Sequence, residues 1–402
     1  MSPVQPAANG PDPLAWIDGA LDDLERRAAR RHLVVLQGRT GPRVQVNGRE
    51  LLNFSANDYL GLAGDPRLAE AAAEAAQKWG TGAGASRLIT GTLGLHCELE
   101  SRIARLKGSE AALLFGTGYQ ANVGVLQALA DDGVVFSDAL NHASIVDGCR
   151  LARAQVVVYR HGDAAHLAAL LEAHGDTRRK LIVTDGLFSM DGDLAPLPAL
   201  VTLAGKHNAL LMVDDAHGTG VLGGGRGASH HLDVTDGVHV HVGTFSKALG
   251  SFGAFVACPA AMRDLLIQRA RSLVYTTAPP PPSIGAALKA LDIVEQEPER
   301  LARLATLGAT LRQGLRQAGF EVAEHPTPIV PLILGSRRTA LAWSERLWRS
   351  GFWVQAIRPP TVPEGTSRLR ITVSAGHKSA DIEALVAALA TLRRELPAQE
   401  GA

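Results

Sequence analysis

The chain has 402 residues, 46% of them hydrophobic, and its forty basic side chains are balanced by forty acidic ones. That length exceeds the roughly 250–300 residues at which single cores stop growing, so two packed domains are expected. The even charge excludes the electrostatic footprint of a nucleic-acid or anionic-membrane binder. Cys97, Cys149 and Cys258 are odd in number and far apart, which suits reduced thiols better than a disulfide framework. The opening MSPVQPAANGPDP lacks a basic and an apolar region and reads as a disordered tail, not a signal peptide. No window holds the roughly eighteen apolar residues of a membrane span. The expectation is a soluble, cytoplasmic protein.

In chain order, residues 13–32 read as an amphipathic helix with a basic end, and VQVNGRELLNF alternates about Asn47-Gly48 as a hairpin does. Apolar strands are predicted at 111–115, 134–138, 155–160, 180–186, 208–215 and 239–243, with Ala-rich helical stretches between them. Near-continuous Val/Ile/Leu strands separated by helices predict a parallel sheet covered on both faces. In such sheets, sites cluster beyond the carboxyl ends of the strands, where Asp138, Asp185, Asp214 and Lys247 fall. After the Pro-rich YTTAPPPP (275–282), a helical region near 283–318, short strands and a final helix near 379–396 predict a smaller α+β domain. The division read from these patterns is 1–55 for tail, helix and hairpin, 56–290 for a large domain, and 291–402 for a small C-terminal one.

The chemistry concentrates in HVHVGTFSKALGSFGAF (239–255) and LLMVDDAHGTG (210–220). Lys247 stands just past a strand among small residues, where desolvation lowers an amine's pKa and makes it a nucleophile towards carbonyls. Asp214 closes another strand, with His217 three positions on. A lysine for an aldehyde and a carboxylate for a pyridinium nitrogen are what pyridoxal phosphate requires. Asp214 and Asp215 must point to opposite faces of their strand, so one serves the cofactor while the other caps a turn or binds an amide. Thr244, one short turn from Lys247, can hold the phosphate arm. GTGYQAN (116–122) opens a helix whose free amides at Gly118 and Tyr119 can do the same. His142 can stack on a flat ring, and Ser189 in FSMDGD lies within reach of the phosphate or the phenolic oxygen, which His217 can also bond. GGGRGA (223–228) lacks the preceding strand and the spaced acid of a dinucleotide loop. His230-His231, His239 and His241 have no carboxylate or cysteine at a familiar metal spacing, so no metal is expected. Arg358, Arg368 and Arg370 offer forks for a carboxylate, with Arg368 read as a structural ion-pair residue.

LNFSANDYLGL (52–62), GASRLITGT (84–92), GTGYQAN, NHASIVDG (141–148), FSMDGD, VDDAHGTG (213–220), GTFSKALG (243–250) and RPPTVPEGTSRLRIT (358–372) follow the order seen in the α-oxoamine synthases, which this chain resembles from about residue 13 to 395. The resemblance implies a fold-type I pyridoxal phosphate transferase: a large domain around a mostly parallel seven-stranded sheet, and a smaller α+β C-terminal domain. It implies a homodimer with the active site between subunits, and decarboxylative condensation of an amino acid with an acyl thioester. The RPPTVP segment is most similar to the biotin-pathway branch, which implies L-alanine and a pimeloyl thioester of coenzyme A or acyl-carrier protein. The alternatives are another α-oxoamine synthase, such as a glycine C-acetyltransferase, and a catalytically silent family member acting as a binding subunit. The resemblance further implies Lys247 as the covalent anchor, Asp214 as the pyridinium partner and His142 as the stacking residue. Ser189 and His217 would be further cofactor contacts, and Thr244, Gly118 and Tyr119 would hold the phosphate. Arg358 and Thr361 would meet substrate. Arg30, at the end of the first helix and on one face with Arg27, would meet the acyl carboxylate.

Overall fold

The structure, a computed structural model, describes residues 12–395, so the expected N-terminal tail lies outside the described residues apart from its last two positions. Asn47 and Gly48 both take left-handed backbone angles (φ 50° and 74°), which is what joining β1 (Arg43–Val46) to β2 (Arg49–Asn53) by two residues requires. Seven strands follow in the large sheet: β3 (Ala111–Phe115), β4 (Val134–Asp138), β5 (Gln155–Tyr159), β6 (Lys180–Asp185), β7 (Leu210–Asp214), β8 (Val240–Thr244) and β9 (Ala254–Cys258). Their order is β3-β9-β8-β7-β6-β4-β5, and every neighbouring pair is parallel except the two that involve β9. The six strands read from the sequence are all present. AFVAC, which becomes β9, follows the glycine-rich lysine loop and gave no strand signal of its own.

Apolar side chains leave this sheet on both faces. Phe136, Ile182, Leu211 and Val213 enter one core, while Val135, Leu181, Val183, Met212 and Val242 enter the other. A parallel sheet clad on both sides holds its strand ends rigidly, and Asp185, Asp214 and Thr244 close three of its strands. The C-terminal part builds a second, antiparallel sheet from β10 (Ile329–Gly335), β12 (Gln355–Ile357) and β13 (Ser367–Thr372), while β11 (Phe352–Trp353) pairs with β2 of the N-terminal hairpin. The helical region near 283–318 is made of two helices, Pro281–Gln296 and Pro298–Gln317, because a proline at 298 cannot continue a helix but starts one well.

One expectation fails at the N-terminus. The first helix runs Ala15–Arg26, not to residue 32, and Ala28 then takes a left-handed conformation (φ 49°). Arg30 and Arg31 therefore lie in coil, and helical periodicity cannot decide which of them faces Arg27.

Candidate active site

Lys247, Asp214, His217, His142, Thr244, Gly118 and Tyr119 all line one cavity of about 300 Å³ at the carboxyl ends of β4, β6, β7 and β8. Burial pushes the Lys247 amine down to about 8, with Asp214 and Asp185 pulling it partly back. Its Nζ lies 2.8 Å from Nε2 of His217. Asp214 is aimed by two donors: Asn122 Nδ2 gives a hydrogen bond at 2.6 Å and the Ala216 amide one at 3.0 Å. Asn122 stands one helical turn after Gly118 in the helix Gly118–Leu129, so one helix presents both its amide end and this side chain to the site.

The N-cap of that helix is Thr117, whose hydroxyl accepts from the Gln120 amide at 3.1 Å. A side chain at Gly118 would meet nothing within 4 Å, so the first residue of the helix faces uncrowded space beside the cavity. His142 caps the next helix, Ala143–Leu151, with its Nδ1 2.7 Å from Ser144 Oγ. Thr244 donates to the Gly253 carbonyl at 2.8 Å and accepts from the Ser246 amide at 3.1 Å. Pyridoxal phosphate fits this donor set: an amine for its aldehyde, an anion for its ring nitrogen, an imidazole beside its plane, and a helix N-terminus for its phosphate.

Asp215 does turn away from Asp214. Its Oδ2 meets Lys107 Nζ at 2.8 Å and its Oδ1 accepts from the Ala228 amide at 3.0 Å. Lys107 is fully buried and gives its other bonds to Thr219 Oγ1 (2.9 Å) and the Arg226 carbonyl (2.6 Å). Arg368 pairs with Asp191, the structural role expected of it. Ser189 is not among the residues lining the cavity, and its carbonyl accepts from Arg370 Nε at 2.5 Å.

The arginine groups form a second cluster, whose residues do not line the cavity. Arg358 Nη2 donates to the Arg30 carbonyl at 2.9 Å, and Arg31 Nη2 approaches Thr361 Oγ1 at 3.4 Å. The Arg30 guanidinium itself faces Glu25 at 3.7 Å. Burial, with the Arg31 and Arg337 guanidiniums beside it, holds Arg358 below the usual arginine range. Asn122 carries a signal in the sequence that goes unread there, its one-turn spacing from Gly118. Asp185 was read as a strand-end residue without a role; it lines the cavity, and burial together with the Asp214 charge raises its carboxyl well above the usual range.

The model of the aminotransferase class I and II family matches residues 49–389. The 8-amino-7-oxononanoate synthase of Anaeromyxobacter sp. (strain K) is 52% identical over 389 residues, covering 96% of this chain and 98% of its own. The Geobacter sulfurreducens enzyme of that name is also 52% identical, over 94% and 98%. A serine palmitoyltransferase from S. paucimobilis, with a bound pyridoxal phosphate–myriocin adduct, superposes with a TM-score of 0.90 at 30% identity, covering 96% of this chain and 99% of its own. The 8-amino-7-oxononanoate synthase of Francisella tularensis superposes at 0.74 with 27% identity, over 86% and 98%. The architecture is that of the fold-type I pyridoxal phosphate transferases. The chain belongs to the class I and II aminotransferase family, in its branch of 8-amino-7-oxononanoate synthases.

Proposed function

We propose that this chain condenses L-alanine with a pimeloyl thioester, releasing carbon dioxide and the free thiol, and so makes 8-amino-7-oxononanoate in biotin biosynthesis. The observation that carries this reading is the meeting of Lys247, Asp214 and His142 at one cavity, in a chain 52% identical to synthases of that name over 96% of its length. Bound pyridoxal phosphate supplies an aldehyde for the amine and a ring that withdraws electrons from the α-carbon.

The chain's residues bind, orient and move protons around it. Lys247 would hold the cofactor's aldehyde carbon through Nζ, and as a free amine it would take the α-proton of alanine; an amine pushed to about 8 keeps a useful fraction as free base near neutral pH. Asp214 keeps a proton on the ring nitrogen, and Asn122 with the Ala216 amide holds its carboxylate in aim. His142, which lines the cavity, would cover one face of the ring. The amides at Gly118 and Tyr119 would take the phosphate, joined by Thr244 if its hydroxyl turns from the Gly253 carbonyl, and His217 would meet the ring's oxygen. Ser189 serves as a contact only by reaching in from outside the lining set. For the acyl carboxylate we take Arg31 with Arg358 and Thr361 in preference to Arg30, whose guanidinium is turned towards Glu25.

In this reading the enzyme is a cytoplasmic homodimer, and residues 56–290 and 291–402 form its large and small domains. Tyr119 and Phe252 stand half-exposed at the cavity, and Leu33, Val35, Ile89 and Tyr275 are exposed apolar surface that a second copy would cover. Among the described residues no helix is long and apolar enough to cross a membrane. The test is a panel of coenzyme A and carrier-protein thioesters assayed for thiol release against alanine, glycine and serine. Preference for pimeloyl with alanine supports the reading. Preference for acetyl with glycine would replace it, and no turnover with cofactor bound would point to a silent subunit.

A further inference from the structure

Tyr59 has no role in the site as described so far, yet it is wholly buried and its hydroxyl lies 2.6 Å from Nδ1 of His217. His217 Nε2 points the other way, to Lys247 in the cavity. The imidazole is thus strung between a phenol and the catalytic amine, and which nitrogen carries its proton decides what it can offer the cavity. Two further groups constrain the phenol. Arg370 Nη2 donates to the Tyr59 oxygen at 3.3 Å and to Asn57 Oδ1 at 3.0 Å, and Asn57 Oδ1 is 3.2 Å from the Tyr59 hydroxyl.

We infer that Tyr59 is a positioning residue that fixes the tautomer of His217, donating its hydroxyl proton to Nδ1 so that Nε2–H is presented to the cavity as a donor. The inference rests on the cofactor reading above. The distances favour this direction: the phenol oxygen lies 2.6 Å from Nδ1 and 3.2 Å from Asn57 Oδ1. A cationic guanidinium on the phenol oxygen strengthens its O–H as a donor. Burial raises the Tyr59 hydroxyl above its ordinary range, so it keeps its proton at any working pH. The ring also stays neutral. Burial, then the positive charges of Lys247, Arg370 and His142, drive His217 well below the usual histidine range. A neutral imidazole whose Nδ1 is filled by a donor has its one proton on Nε2, and Lys247 Nζ, 2.8 Å away, accepts that proton's hydrogen bond as the free amine. There it suits an oxygen acceptor on the cofactor ring. The opposite tautomer would turn a bare nitrogen to that oxygen.

The test uses full-length, cofactor-loaded enzyme carrying ¹⁵N-labelled histidine rings, with His217 assigned by the loss of its signals in His217→Gln. Proton–nitrogen correlation spectra separate protonated from bare ring nitrogens. The expected wild-type spectrum has Nε2 protonated and Nδ1 bare but shifted by an accepted hydrogen bond. Tyr59→Phe keeps the buried ring and removes the hydroxyl; it should lose that Nδ1 shift and mix the two tautomers. It should also lower kcat by up to about tenfold while leaving both KM values within about twofold, as loss of one neutral hydrogen bond implies. A wild-type ring protonated on Nδ1 would overturn the inference even if the variant does not fold. So would a folded Tyr59→Phe enzyme with an unchanged His217 spectrum. Failure of the thioester panel with these spectra as expected would instead remove the substrate reading and leave the tautomer assignment standing.

Discussion

The cofactor cavity and the arginine cluster are built on different principles. Asp214, His217 and Thr244 are all less than a tenth exposed and hang from the ends of strands clad on both faces. Arg30, Arg31 and Thr361 are exposed and lie on coil, tied to one another by backbone carbonyls and long contacts. Rigid strand ends suit a group that must hold one geometry through a reaction. Long guanidiniums on coil suit a flexible chain end that need only be neutralised. Substitutions at the cavity should therefore damage rate or stability, whereas those at the cluster should damage affinity.

The largest effect is expected at Asp214. Asp214→Asn should keep its cofactor, because the phosphate contacts survive, yet lose on the order of a hundredfold in kcat with the charge that protonates the ring nitrogen. Steady-state kinetics on cofactor-saturated protein check this, and a loss confined to KM would break the contrast with the arginines. On the other side of the same strand end, Asp215→Asn should cost about 3–5 kcal/mol of stability, since it strands the buried Lys107 ammonium. Denaturant melts measure that, and Lys107→Met together with Asp215→Asn should recover part of it. A small stability change in Asp215→Asn with a large rate loss would mean that the two carboxylates have been assigned to the wrong faces.

Arg31→Ala should raise KM for the pimeloyl thioester roughly tenfold, leaving kcat and the alanine KM nearly unchanged. Arg30→Ala should do less, and an uncharged acyl thioester of equal length should not register either change. Equal effects of Arg31→Ala on both thioesters would assign that arginine to the fold or the dimer.

The smallest effect belongs to His161, whose ring nitrogens each lie 2.9 Å from a carboxylate, Asp138 and Asp193. Bonds to Asp138 and then Asp193 raise it to about 10 against the opposing effect of burial. A folded pKa above the unfolded one gives stability that is fully present below the unfolded value of about 6.5 and is lost as pH rises through about 10. The Tm advantage of wild type over His161→Gln should therefore be largest near pH 6 and shrink steadily towards pH 10. An advantage that grows with pH would mean that the bonds from His161 to Asp138 and Asp193 do not stabilise the fold.

How far the sequence could be read follows the same division. Each strand end was legible because a Val/Ile/Leu run must stop where its polar residue begins, which placed Asp214 and Thr244 directly and put Lys247 three residues beyond its strand. The alternation rule placed Asp215 on the far side before its partner Lys107, more than a hundred residues away, was known. The arginines were not legible. Ala28 breaks the helix with no glycine or proline to announce it, and coil carries no periodicity from which a face can be read. Tyr59 was hidden for another reason: its role depends on His217 and Arg370, which only the folded chain brings to it.

The most direct measurement is the site of covalent cofactor attachment. Cofactor-loaded enzyme is reduced with borohydride, digested, and its peptides are mapped by mass spectrometry. The expected result is a single pyridoxyl-modified lysine at Lys247 in the wild type, and no modified peptide and no borohydride-sensitive visible absorbance in Lys247→Ala. Modification at another lysine, or undiminished absorbance in Lys247→Ala, would contradict the assignment of the cavity as the catalytic centre.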